Sequence, residues 1–187
     1  MLTGEELAIA VVRILGALPV LRWPLAGSVI AILVDFSDLF MMNLLELGGV
    51  RDYQGLDKWL DLSYMVTFII AAWRWPGTPR NVAAGLFAYR ILGVAVFEAT
   101  SWRGVLLFFP NVFEFWFLFV AVVKRFWPGY SITTLRAAWW LLPLLALKEG
   151  QEYALHWAKW LDNYVAVDVV ASWWRWLTGW LVGWANP

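Results

Sequence analysis

Six long apolar runs, each stopped by a charged or Pro/Gly-rich break, leave this chain few ways to fold. They cover about residues 5–21, 25–46, 57–75, 81–99, 104–123 and 135–160. The breaks include "RWP" at 22–24, the pair Gly48 and Gly49, "PGTPRN" at 76–81 and "KRFWPGYS" at 124–131. Crossing a hydrocarbon layer of roughly 30 Å takes about 20 apolar residues in a helix. Backbone polar groups inside lipid must be satisfied by the segment itself, so runs of this kind are helices. The expectation is an all-α, polytopic transmembrane helical bundle of six spans over residues 1–160. The remainder, 161–187, contains "YVAVDVVASWWRWLTGWLVGW" with Asp168 and Arg175, and reads as either a seventh span or a Trp-rich interfacial helix.

Composition agrees with a lipid environment. Hydrophobic residues make up 62% of the 187 and charged residues 15%, with a mean hydropathy of +0.65, values that a water-exposed domain of this size has difficulty covering with polar surface. Many of the 16 tryptophans stand near the ends of the runs, among them Trp73, Trp75, Trp102, Trp127 and Trp157, where an amphipathic ring suits the headgroup layer. The expected location is a multi-pass integral membrane position, in a bacterial inner membrane, with membrane lipid as the surrounding partner and room for a homo-oligomer. Fourteen basic and fourteen acidic residues balance, so nothing points to nucleic acid. The absence of Cys excludes disulfides and thiolate metal sites. Glu5 and Glu6 occupy the place where a signal peptide carries positive charge, which marks the first run as a retained helix. Arg22, Arg74, Arg80, Lys124, Arg125 and Arg136 fall in the odd-numbered loops, against Arg51, Lys58, Arg103 and Lys159 in the even ones. The positive-inside rule then turns the N-terminus outward.

A charge near the bilayer centre costs about 2.5–3.5 kcal/mol on insertion scales, so each needs a partner or a task. Arg90 and Glu114 lie near the middles of the fourth and fifth runs. In an antiparallel pair of helices they reach similar depth and are expected to pair. Pro110 is expected to bend the fifth helix, with Asn111 bonding the freed backbone. The sixth run holds "KEGQEYALHW", in which Glu149, Glu152 and His156 share one helical face and Lys148 can reach Glu152. That face suits a metal or a proton relay, or a solvated, internally paired surface. His156 is the only histidine, which excludes His-rich zinc sites and bis-histidine haem within one chain.

The densest acidic stretch is "ILVDFSDLFMMNLLELGGVRDYQGLDKWLDLSYM" at 32–65. Asp35 and Asp38 are three apart and Asp57 and Asp61 four apart, so each pair forms one acidic face on its helix. An antiparallel hairpin brings both faces together at one end of the bundle. Four carboxylates repel unless cations neutralise them, and oxygen donors in this number suit Mg²⁺, Mn²⁺ or Ca²⁺.

This arrangement resembles the CDP-alcohol phosphotransferase family, whose signature reads D-x2-D-G-x2-A-R, then Gly, then D-x3-D on a six-helix membrane fold. The resemblance implies Mg²⁺ or Mn²⁺ held by Asp35, Asp38, Asp57 and Asp61. It also implies that Asp61 is a ligand or the catalytic base, and that a CDP-activated lipid donates a phosphoalcohol group in phospholipid metabolism. Two metals can neutralise a diphosphate and stabilise attacking and leaving oxygens together. The chain departs from the signature at Leu39, at Met42 and Asn43, and at Tyr53.

Two other functions fit the same residues. A cation or proton transporter or channel would use carboxylates spread over several helices, namely Asp35, Asp38, Glu98, Glu114, Glu149 and Glu152. A non-catalytic scaffold subunit would use the Trp- and Phe-rich stretches to pack lipid, pigment or partner helices. Sequence motifs for phosphate loops, serine hydrolases and zinc peptidases are absent.

Overall fold

The structure, a computed structural model, describes residues 3–44, 53–100, 105, 108–153, 172–176 and 178, without the side chains of 5, 36–44, 53–59 and 152. Among them are six α-helices, one 3₁₀ helix and no strand. The helices are α1 (Gly4–Ala17), α2 (Pro24–Leu44), α3 (Tyr53–Ala72), α4 (Thr78–Thr100), α5 (Val112–Phe126) and α6 (Thr134–Glu152), with the 3₁₀ helix over Leu18–Leu21. Their order follows the six apolar runs of the sequence. Of the stretch 161–187, residues 172–176 and 178 are described, and they are helical.

Local chemistry explains the boundaries. Thr3 caps α1 in a capping box: its Oγ1 accepts from the Glu6 amide at 3.2 Å, and Glu6 Oε2 accepts from the Thr3 amide at 2.9 Å. Glu6 is thereby spent on the backbone and buried. Pro19 starts the 3₁₀ turn, and Pro24 opens α2, where its missing N–H costs nothing. Gly27 lets α2 close on that turn, since a Cβ there would stand 2.3 Å from the Val20 nitrogen. Between α3 and α4 the chain turns at Gly77, whose φ of 66° is the left-handed conformation that glycine adopts without strain. Thr133 caps α6 through its side chain.

The core lies between α3 and α5 and is aromatic. Phe68, Phe113, Trp116 and Phe117 are fully buried, with ring centroids 4.3 Å apart for Phe68 and Phe117 and 4.9 Å for Trp75 and Phe117. Trp116 Nε1 donates to Pro79 O at 3.1 Å and ties α5 to the first turn of α4. Offset and tilted ring pairs of this kind add about 0.5–1.5 kcal/mol each beyond area burial.

Outside this core the polarity is inverted. Leu33, Leu135, Trp139 and Leu142 are each more than 60% exposed, whereas Arg13, Ser28, Asn111 and Lys148 are buried. Among the described residues one helix, Thr78–Thr100, is long and apolar enough to cross a membrane, with shorter apolar stretches at Pro24–Asp35 and Leu60–Ala72. The expectation of six such spans is not met by these residues. Length is the reason for two of them, since α1 has 14 residues and α5 has 15, short of the roughly 20 needed for a full crossing; α6 is long enough but carries Arg136, Lys148, Glu149 and Glu152.

The fifth run departs most from expectation. Its helix begins only at Val112, after a break at Phe109, Pro110 and Asn111. Pro110 separates two helical segments instead of bending one. Glu114 therefore stands in the first turn of α5, beside the positive end of the helix dipole.

Candidate functional site: a polar layer at helix mid-length

The described polar groups meet halfway along the helices. Arg13 is the tenth of 14 residues in α1, Asp35 the twelfth of 21 in α2, Asp61 the ninth of 20 in α3 and Arg90 the thirteenth of 23 in α4. Asp35 and Asp61 were expected at one end of the bundle. They sit deeper, because α2 runs on to Leu44 and α3 starts as early as Tyr53.

Arg13 joins the two aspartates. Its Nη2 donates to Asp61 Oδ1 at 2.9 Å and also pairs with Asp35 Oδ1. The arginine side chain is 3% exposed, against 34% for Asp35 and 26% for Asp61. Carboxylates from α2 and α3 thus converge, as their spacing predicts, but on a guanidinium. A guanidinium has several fixed donors and stays charged, which suits it to bridging two carboxylates out of water. The side chains of Asp38 and Asp57 lie outside the described residues. Among the described residues no group of three or more His, Asp or Glu is placed to hold a metal ion.

Three residues along α3, Tyr64 continues this layer from the same face as Asp61. Its hydroxyl donates to Glu114 Oε2 at 3.2 Å and accepts from Asn111 Nδ2 at 3.0 Å. Asn111 Nδ2 also approaches Glu114 Oε2 at 3.4 Å. Tyr64 and Asn111 are both buried. With Asp61 three residues away on Arg13 and its own hydroxyl on Asn111 and Glu114, the α3 tyrosine lies between the Arg13 cluster and the α5 break. Asn111 Oδ1 is buried without a hydrogen-bond partner. An acceptor left so costs about 1–3 kcal/mol.

The break itself is built by α4. Arg90 Nη1 donates to Phe109 O at 2.8 Å, and the Tyr89 hydroxyl donates to Phe108 O. These are carbonyls that a continuing helix would satisfy internally. Gly93 makes room for the turn: a Cβ there would stand 2.3 Å from Phe109 Cβ. Arg90, expected to pair with Glu114, donates instead to the Phe109 carbonyl at 2.8 Å, and Glu114 accepts from Tyr64 at 3.2 Å.

Other residues singled out in the sequence lie apart. Glu98 is exposed, eight residues beyond Arg90 in α4. Glu149 is half-buried in α6, while the side chain of Glu152 and all of His156 fall outside the described residues. Lys148 is buried, donates to Gln151 Oε1 at 3.0 Å and stands 5.7 Å over the Phe115 ring.

Sequence reasoning missed Arg13, Tyr64 and the part Asn111 plays. Arg13 had a signal, since it lies at the centre of the first apolar run, where a charge is as conspicuous as Arg90 is in the fourth. Tyr64 had none, because a tyrosine in an apolar helix is commonplace.

Comparison with family models, with curated proteins and with solved structures returns no match for this chain.

Proposed function

We propose that the chain is a multi-pass membrane protein whose mid-length polar layer carries a proton or a small cation across the bundle. The observation that carries this reading is the seam Asp35, Arg13, Asp61, Tyr64, Glu114, Asn111 and Arg90, contributed by α1 to α5 with its break. Arg13, Tyr64 and Asn111 of this seam are buried, while large apolar side chains such as Leu33, Leu135 and Leu142 are exposed on the outside. Ionisable residues within membrane helices are rare, face the bundle interior, and mark ion pathways and proton relays. Helices interrupted at mid-depth, with polar groups gathered at the break, are a recurring way to build a binding point in transporters.

Charge counting favours a cationic cargo. Asp35, Asp61 and Glu114 supply three negative charges and Arg13 and Arg90 two positive, leaving this set one negative. The orphan Asn111 Oδ1 adds an oxygen that takes a donor or a cation, not an anion. Glu114 is the residue assigned the exchange step, with Tyr64 and Asn111 holding its carboxylate in place. Short helices such as α1 and α5 fit the proposal if the 3₁₀ turn and the Phe109 break complete their crossings. The six-helix order supports that arrangement.

A second reading rests on the convergence of Asp35 and Asp61. Aspartates from the second and third helices meeting at one cation is what the CDP-alcohol phosphotransferase resemblance requires. Arg13 would have to leave those carboxylates for Mg²⁺ or Mn²⁺ to take its place, with Asp61 then free to act as ligand or base.

One experiment separates the readings. Purified protein in sealed liposomes is expected to pass protons or monovalent cations when the outside is acidified, and Glu114→Gln is expected to reduce that flux at least tenfold. Tight wild-type liposomes would sink the transport proposal. Tight liposomes together with binding of Mn²⁺ and cytidine nucleotide, lost in Asp61→Asn, would establish the transferase.

A further inference from the structure

The formal charge of the chain is zero, yet its charges are sorted by position. The three junctions 18–26, 73–81 and 124–136 contain Arg22, Arg74, Arg80, Lys124, Arg125 and Arg136, and none of the fourteen acidic residues. The connections α1 to α2, α3 to α4 and α5 to α6 therefore form a purely basic set.

Hydrogen bonds bring these junctions to one end. Arg74 Nη1 donates to Leu21 O, joining the first two. Phe109 meets Arg90 and Trp116 meets Pro79 at the start of α4, so α5 runs antiparallel to α4 and carries Phe126 to the same end as the first two junctions. The basic groups are held among aromatic rings: Arg80 lies 5.7 Å over Trp73 and Arg136 lies 4.9 Å over Tyr130. Arg136 Nη1 also donates to Ser131 O at 2.8 Å, while the remaining N–H groups of a guanidinium packed on a ring can still turn to an anion as its apolar face is covered. Trp23, Trp73, Phe126 and Trp127 are each more than 60% exposed around these cations. The apolar exterior of α6 follows directly, with Leu135 and Trp139 as exposed as the aromatics.

From this we infer that the basic-aromatic end is a docking surface for the phosphate headgroups of anionic phospholipids. Cations alone would suit any polyanion. Cations set among exposed aromatic rings, at the edge of an apolar face, match the one anionic surface that is itself bordered by hydrocarbon. The inference rests on the membrane reading above but not on ion transport.

The test uses the detergent-solubilised full chain and its thermal unfolding midpoint, titrated with phosphatidylglycerol or phosphatidylcholine. Saturable stabilisation by phosphatidylglycerol alone is expected. Replacing one cation is expected to raise the half-saturating lipid concentration about fivefold, read with Arg80→Gln and with Lys124→Gln, whose side chains donate no described hydrogen bond to the fold. The double variant is expected to need about twenty-five times more lipid. Equal stabilisation by the two lipids, or an unchanged half-point in the double variant, would overturn the inference. So would saturable stabilisation by soluble polyglutamate with no lipid preference, which would assign the surface to an acidic protein. Lipid preference in a protein that holds liposomes tight would keep this inference while the transport proposal fails.

Discussion

Arg13 shows how much one residue decides in this molecule. Two carboxylates on neighbouring helices repel at mid-length, and the buried guanidinium converts that repulsion into an attachment of α1 to both α2 and α3. Removing one partner of a buried charge cluster leaves the others uncompensated, at about 3–5 kcal/mol. Asp35 and Asp61 retain part of their solvent access, so Arg13→Leu is expected to destabilise the fold by about 3 kcal/mol, the low end of that range. Unfolding of the detergent-solubilised variant measures it, and adding Asp35→Asn with Asp61→Asn is expected to recover most of the loss. A variant as stable as wild type would show that the cluster holds nothing together. The aspartates were legible in the sequence, because three- and four-residue spacings fix a helical face. Their partner was not, because spacing within α2 and α3 says nothing of which α1 side chain fills the gap. Tyr64 and Asn111 were hidden for a related reason: their work depends on who faces them across the bundle.

At the scale of elements, apolar runs located every described α-helix, but their ends followed local chemistry more than hydropathy. Helix α3 begins at Tyr53, ahead of the run that starts near residue 57, since Tyr53, Gln54 and Leu56 are compatible with helix although they form no apolar run. The fifth run looked continuous because hydropathy averages over "FFPNVF", while proline removes a donor and clashes with a continuing helix. Whether such a proline bends or breaks depends on what receives the freed carbonyls. Here Tyr89 and Arg90 of α4 receive them, and Gly93 lets the turn approach. Gly93→Leu is accordingly expected to cost about 1–3 kcal/mol through overpacking against Phe109. Because it pushes the break away from Arg90, it is also expected to reduce any Glu114-dependent flux, whereas Gly85→Leu, which meets open space, is expected to change neither. Equal effects of the two substitutions would remove the break from the account.

On the scale of the whole molecule, the distribution of polarity matters more than any single contact. Leu33, Leu135, Trp139 and Leu142 are exposed while Arg13 and Lys148 are held within, the arrangement expected where burial of apolar groups brings no gain and polar groups seek one another. Composition points to that environment, while one described helix, Thr78–Thr100, is long and apolar enough to cross a membrane. Composition did not disclose the separation of a basic, aromatic end from the acidic remainder, because a net charge of zero conceals segregation and only the alternation of helices assigns junctions to ends. The central claim is that the chain crosses the bilayer with those ends on opposite sides and the polar layer between them. Cysteine accessibility tests it most directly, since the chain has no cysteine of its own. Gly129→Cys, in the junction after α5, and Ala99→Cys, in the last turn of α4, introduce thiols at exposed positions. In intact cells a membrane-impermeant maleimide is expected to label Ala99→Cys, and to label Gly129→Cys only after permeabilisation. Labelling of both without permeabilisation, or of neither, would contradict the account.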